Sequence, residues 1–144
     1  PDAPEMKIIE MEQQFVFYLY NKKGSNNYKN MPEDYDEVDP FIVCCPDSTG
    51  APSNCDRHYK FEGYQVYQLK NADCSINDIH DPSKAKLVFQ TDIKNGISQL
   101  VNYTYDQDMQ ANVPEIMVKG ADEGLNHSFT LTQDMFATGD NALV

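Results

Sequence analysis

The sequence predicts an all-β fold, and three observations predict it. Residues 61–70, FEGYQVYQLK, alternate strictly and are rich in aromatic and β-branched side chains, the signature of a half-buried strand. Residues 14–20, QFVFYLY, form a short apolar run bounded by polar residues, as a strand does. No internal repeat and no heptad pattern interrupts this reading.

The elements follow in chain order. Residues 1–10 lead into a first strand through Pro1 and Pro4, tolerated there because an edge or first position needs fewer ladder donors. Residues 14–20 carry apolar side chains on both faces and read as a strand covered on both sides. Residues 21–60 lose all periodicity and are dominated by Asn, Lys, Gly, Ser, Asp and Pro. Such a span is too long for an ordinary hairpin and reads as an insertion with its own bracing or a functional loop, with one short strand over residues 39–44. In the 61–70 strand, Tyr64 and Val66 take one face and Gln65, Tyr67 and Leu69 the other. Residues 71–84 make a second polar connection. Residues 86–92 read as a strand, joined by the turn pair Asn95 and Gly96, both tolerant of positive φ, to a partner at 98–104. Residues 105–123 are polar and read as a second long loop. Residues 127–132 are a last alternating strand, and 132–136 one helical turn.

Charge excludes some functions. With 23 acidic and 11 basic residues the net charge is −12, a field that repels nucleic acid and anionic lipid. No run of about 18 apolar residues offers a membrane span. The histidines His58, His80 and His127 lie in separate segments, without a Gly-x-Ser-x-Gly elbow, a His-Glu-x-x-His pair or a glycine-rich phosphate loop. The expectation is therefore a protein that is not an enzyme, with no catalytic residues and no organic cofactor. Calcium is the one ion with a candidate site. Asp34, Asp36 and Asp39 group hard oxygen ligands, although Val38 at the fifth position from Asp34 and the missing glycine after it break the EF-hand spacing.

The four cysteines, Cys44, Cys45, Cys55 and Cys74, contain no Cys-x-x-Cys pair of the kind zinc sites use. An even count in a polar, tyrosine-rich β chain favours disulfides and an oxidising compartment. A bridge between neighbours Cys44 and Cys45 would be strained, so one of them is expected to join Cys55 and the other Cys74. Asn102-Tyr103-Thr104 and Asn126-His127-Ser128 fit the N-linked acceptor pattern at Asn102 and Asn126. Tyr28, Tyr35, Phe41 and Tyr59 stand as aromatics in polar surroundings and are candidates for loop contacts.

With PDAPE ahead of the first strand and Gly63, Tyr64, Val66 and Tyr67 in a later one, the chain resembles a fibronectin type III module. A second set of residues extends the likeness: Gly124-Leu125-Asn126-His127-Ser128-Phe129, Asp134-Met135-Phe136-Ala137 and Asn141-Ala142-Leu143-Val144. These are similar to modules of large Bacteroidetes proteins exported by the type IX pathway. The resemblance implies an immunoglobulin-like two-sheet β-sandwich on a secreted or cell-surface protein, with no catalytic residues. Asp47-Ser48-Thr49 then resembles the short O-glycosylation acceptor of that phylum, with Ser48 as the acceptor. Two departures stand out. The tryptophan usual on the second strand is replaced by Tyr18 or Leu19, and the family's Tyr-corner strand and final strand would follow Val144. The chain, which starts at Pro1 and not at Met, is therefore expected to be one module, residues 1–144, excised from a longer polypeptide.

The function expected is that of a spacer, adhesion or docking module. Its partners are the rest of its parent polypeptide or other surface proteins, with no nucleic acid and no direct membrane insertion. The alternatives are a carbohydrate-binding module, which could use calcium, and an accessory domain of a secreted hydrolase.

Overall fold

The computed structural model describes residues 1–44 and 55–137. Among these the fold is all-β, in small antiparallel sheets. The strands are β1 (Glu5–Met11), β2 (Gln14–Tyr20), β3 (Asp36–Val38), β4 (His58–Lys60), β5 (Gly63–Leu69), β6 (Ala85–Asp92), β7 (Gln99–Asp106), β8 (Ala111–Lys119) and β9 (Ser128–Leu131), with one 3-10 turn at Ile76–Asp78. They pair as β1-β2-β9, β3-β4, β5-β6 and β7-β8. The chain forms two units: residues 1–7 with 19–61, and residues 8–18 with the chain from Glu62 onward.

The second unit is organised by a column of phenylalanines. Antiparallel pairing sets Phe17 of β2 directly opposite Phe129 of β9. Their rings stack at 4.7 Å, and Phe89 of β6 stacks on Phe129 at 4.5 Å, so one aromatic column joins the β2-β9 sheet to the β5-β6 pair. Strand β5 buries Tyr64 and exposes Gln65 as its alternation requires, while Val66, Tyr67 and Gln68, at and after the bulge, are all half-buried. Tyr64 meets His127 edge-on at 6.4 Å. Opposite Tyr64, Thr91 is buried; its hydroxyl donates to the Gly124 carbonyl and accepts from the Asn126 amide, so the buried oxygen is satisfied. A bulge where Val66 and Tyr67 face Phe89 and Leu87 leaves Val88 as the extra residue on β6. The Gln68 side chain donates to Asp134 at 2.6 Å and accepts from the Met135 amide at 3.0 Å, fastening that segment to β5.

Gly63 begins β5 where a side chain has no room. A Cβ there would lie 2.2 Å from the Thr91 carbonyl oxygen and 2.8 Å from the Asp92 Cα, both backbone atoms that can yield only if the strands part. Gly63→Ala is expected to lower stability by about 2 kcal/mol, seen as a shifted urea midpoint. An unchanged midpoint would show that β5 and β6 separate freely at this end.

The first unit is held by polar contacts around its amino-terminal residues. Asp2 and Asn26 exchange hydrogen bonds, the Asp2 amide with Asn26 Oδ1 at 2.6 Å and the Asn26 amide with Asp2 Oδ2 at 2.9 Å. Buried Asn27 donates to the Asp2 carbonyl and to Asn21 Oδ1. Strands β3 and β4 form a three-pair ladder, Asp36 to Lys60, Glu37 to Tyr59 and Val38 to His58. The Asp39 amide bonds to the Arg57 carbonyl, and a Cys44–Cys55 disulfide lies beyond it.

Several expectations are corrected. The short strand of the insertion lies at Asp36–Val38, whereas residues 39–44 form a turn and irregular chain. The pair Asn95 and Gly96 does not close a hairpin, because β6 pairs with β5 and β7 with β8. A tight type I′ turn needs positive φ at both residues, and only Gly96 has it, at 85°. Asn95 instead accepts the Ile97 amide on its side chain, while Asp122 Oδ1 accepts the amides of Asn95 and Gly96. Residues 105–123 are no long loop, since they contain β8, a partner one residue longer than β7. Strand β2 is covered on one face around buried Leu19, but Tyr18 and Tyr20 are exposed. Residues 132–136 make a turn and no helix.

Candidate functional site

The β7-β8 hairpin carries exposed large apolar side chains on both of its strands. Its turn is set by Asp106, whose Oδ1 accepts the amides of Asp108 and Met109 at 2.8 and 2.9 Å, and by Gln110 at a φ of 50°. The register then sorts the side chains. Val101 faces Ile116, Tyr103 faces Pro114 and Tyr105 faces Asn112, and residues paired across a ladder share a face. That face is apolar, and its side chains stand in solvent: Tyr103 is 66% exposed, Tyr105 63%, Val101 52% and Ile116 45%. The other face is mixed: Thr104 donates to Glu115 at 2.9 Å and Asn102 pairs with Glu115 across the ladder, while Leu100, Val113 and Val118 also lie on it, the two valines half-buried. Exposed large apolar side chains gathered on one face mark interaction surfaces more often than scattered ones do.

A second exposed apolar group flanks the disulfide in the first unit. Phe41 is 89% exposed, Val43 81% and Tyr59 58%. The Tyr59 hydroxyl bonds to the Asp39 carboxylate, which holds the phenol above its usual range. Asp39 also accepts the Phe41 amide at 2.8 Å. Tyr28 and Tyr35 are half-buried: Tyr28 forms an isolated bridge with Pro32, and the Tyr35 carbonyl accepts the amide of buried Phe61. The four aromatics thus divide. Tyr28 and Tyr35 brace the insertion, and Phe41 and Tyr59 are open to contact.

The acidic residues are not gathered into a calcium site. Asp34 accepts from the backbone and side chain of Asn30, Asp36 pairs with His58 Nδ1, and Asp39 serves Phe41 and Tyr59. Each carboxylate has a local partner, and no group of three or more His, Cys, Asp or Glu among the described residues could hold a metal ion. His58 lies on β4, His80 is exposed after the 3-10 turn, and His127 packs on Tyr64 ahead of β9.

Half of the cysteine pairing is corrected. Cys44 joins Cys55, but Cys74 carries a free thiol, which donates to Asn71 Oδ1 within its own loop. Cys45 and Ser48 lie outside the described residues, as do residues 141–144. Asn102 is exposed on β7, with its Oδ1 accepting the Tyr103 amide, and Asn126 is exposed just before β9. Sequence reasoning missed Tyr103, Tyr105 and Ile116 as a surface because it paired the strand at 98–104 with the one at 86–92 and read β8 as loop. The run Ile116-Met117-Val118 was the available signal.

What fold and surface define is an all-β, disulfide-bearing chain with an exposed apolar hairpin. Compared with known proteins, it matches no family model, no curated protein and no solved structure. No helix among the described residues is long and apolar enough to cross a membrane.

Proposed function

We propose that this chain is a non-catalytic extracellular module, a fibronectin type III-like β-sandwich that docks on its parent polypeptide or on other surface proteins. The observation that carries the reading is the apolar face of β7-β8, with two tyrosines more than half exposed. Desolvating such side chains is the main source of energy in protein contacts, and tyrosine does it at low entropic cost. Strand order supports the sandwich. In immunoglobulin-like domains the first, second and fifth strands share a sheet and the third lies in the opposite one. Here β1, β2 and β9 share a sheet, β5 pairs elsewhere, and the phenylalanine column spans the two. On that reading β3-β4 and β7-β8 are insertions that precede and follow the β5-β6 pair in the chain. The disulfide supports an oxidising, extracellular setting.

The test compares the chain with a Tyr103→Ser/Ile116→Ser double variant, using a purified fraction of surface proteins on a sensor and a glycan array. Protein binding is expected to weaken by roughly tenfold or more in the variant, with its unfolding midpoint unchanged. Equal protein binding by both chains overturns the reading. Glycan binding that disappears in the variant would favour the carbohydrate-binding alternative, for which the two tyrosines also suit.

A further inference from the structure

The β7-β8 pair has two outer edges, and they differ. β8 carries Pro114, which has no N–H to offer and blunts that edge against further pairing. β7 has no proline, so each of its residues keeps a backbone donor. Tyr103 lies opposite Pro114, and its N–H donates to Asn102 Oδ1 at 2.8 Å in place of a ladder partner. That is the behaviour of a non-hydrogen-bonded pair, whose backbone groups point away from the existing ladder. The outward donor of β7 is thus held by a neighbouring side-chain oxygen, where another strand's carbonyl would otherwise sit.

The charges indicate what kind of strand fits. Asp106 and Asp108 stand at the turn end and Glu115 on the face of Asn102 and Thr104, whereas Lys119 is the one basic residue of the hairpin. The whole chain carries −12, which disfavours a second copy as the occupant. A two-stranded sheet exposed on both faces also gains stability from a third strand.

We propose that the outer edge of β7 is a strand-addition site for an extended basic segment of a partner protein. Its backbone replaces Asn102 at the Tyr103 amide, its alternate apolar side chains prolong the strip of Val101, Tyr103 and Tyr105, and its Lys or Arg side chains lie on the face that carries Asp106 and Glu115. The proposal rests on the reading of this hairpin as the contact surface and deepens it by naming the partner's chemistry. Asn102 acts as an edge guard that a partner must displace.

The test titrates the full chain with an end-blocked synthetic peptide of about nine residues alternating Val and Lys, long enough to lie along β7. The controls are the same peptide with Glu for Lys, and one N-methylated at alternate amides. Saturable binding that weakens with salt is expected, with amide exchange slowed at Tyr103 and Tyr105 and unchanged along β5. The Glu and N-methyl peptides should bind at least about tenfold more weakly, Tyr103→Ser should weaken the Lys peptide about tenfold, and Asn102→Ala should tighten it about threefold. Equal binding of the N-methylated peptide, slowed exchange elsewhere than β7, or no saturable binding overturns the proposal. Protection of β7 by self-association alone also overturns it, because the occupant is then a second copy. If the peptide fails while the double variant still loses surface-protein binding, strand addition falls and the docking reading stands.

Discussion

Phe129→Ala is expected to cost about 3 kcal/mol of stability, toward the lower end for phenylalanine truncation because the ring is half-buried. Phe129 is the middle ring of the column, with Phe17 at 4.7 Å on one side and Phe89 at 4.5 Å on the other. Truncation therefore removes its own buried surface and two ring contacts, each worth about 0.5–1.5 kcal/mol beyond area alone. The effect should not be confined to β9, because Phe89 loses the contact that joins β6 to the β2-β9 sheet. Urea unfolding measures it, and Phe129→Leu, which keeps most of the volume, should lose about half as much. Comparable losses for Leu and Ala would mean that ring stacking, not volume, holds the two sheets. A loss under about 0.5 kcal/mol for Ala would mean that the column is surface decoration.

The column also shows what could be read from the sequence. Phe17 and Phe129 sit in runs whose alternation or apolarity marks a strand without outside help, and β2, β5, β6 and β9 fall where the pattern puts them. Strand partners are a different matter. The pair Asn95 and Gly96 resembles a hairpin turn, but hairpin closure depends on φ at both residues and on what competes for their donors. Here Asp122, some twenty-six residues away, takes the amides of both. Strand β8 was illegible for a local reason. Pro114 argues against a central strand, and the polar residues of 106–112 mask the apolar ones that follow. The proline is tolerated because β8 is an edge, a fact of topology and not of sequence. Strands β3 and β4, three residues each, carry no period long enough to detect, and they depend on partners 20 or more positions apart. The candidate surface was thus hidden for the same reason as the hairpin that bears it. Tyr103 and Tyr105 become one face with Ile116 only after the register is known.

The Cys44→Ser/Cys55→Ser variant is expected to lose about 3 kcal/mol from the closure of its loop, the chain-entropy value for a bridge spanning 11 positions. The loss should appear first in the β3-β4 ladder. Three residue pairs alone are too few to hold a sheet, and the contacts that supplement them include the Asp39 amide to the Arg57 carbonyl, the Tyr59 hydroxyl to Asp39 and the Asp36 carboxylate to His58 Nδ1. The charged pairs there, Lys29 to Glu37, His58 to Asp36 and Lys60 to Asp56, are solvent-exposed and add little. Amide exchange at residues 36–38 and 58–60 should therefore quicken markedly in the variant, while β5 and β6 keep their protection. Reduction of the unmodified chain should reproduce this, and reoxidation should reverse it. If the ladder keeps full protection in the variant, its own contacts suffice and the bridge says nothing of the compartment in which the fold persists. If the protection is lost, the exposed group of Phe41, Val43 and Tyr59 is presented in a defined geometry only where thiols are oxidised, which ties this surface to an oxidising compartment.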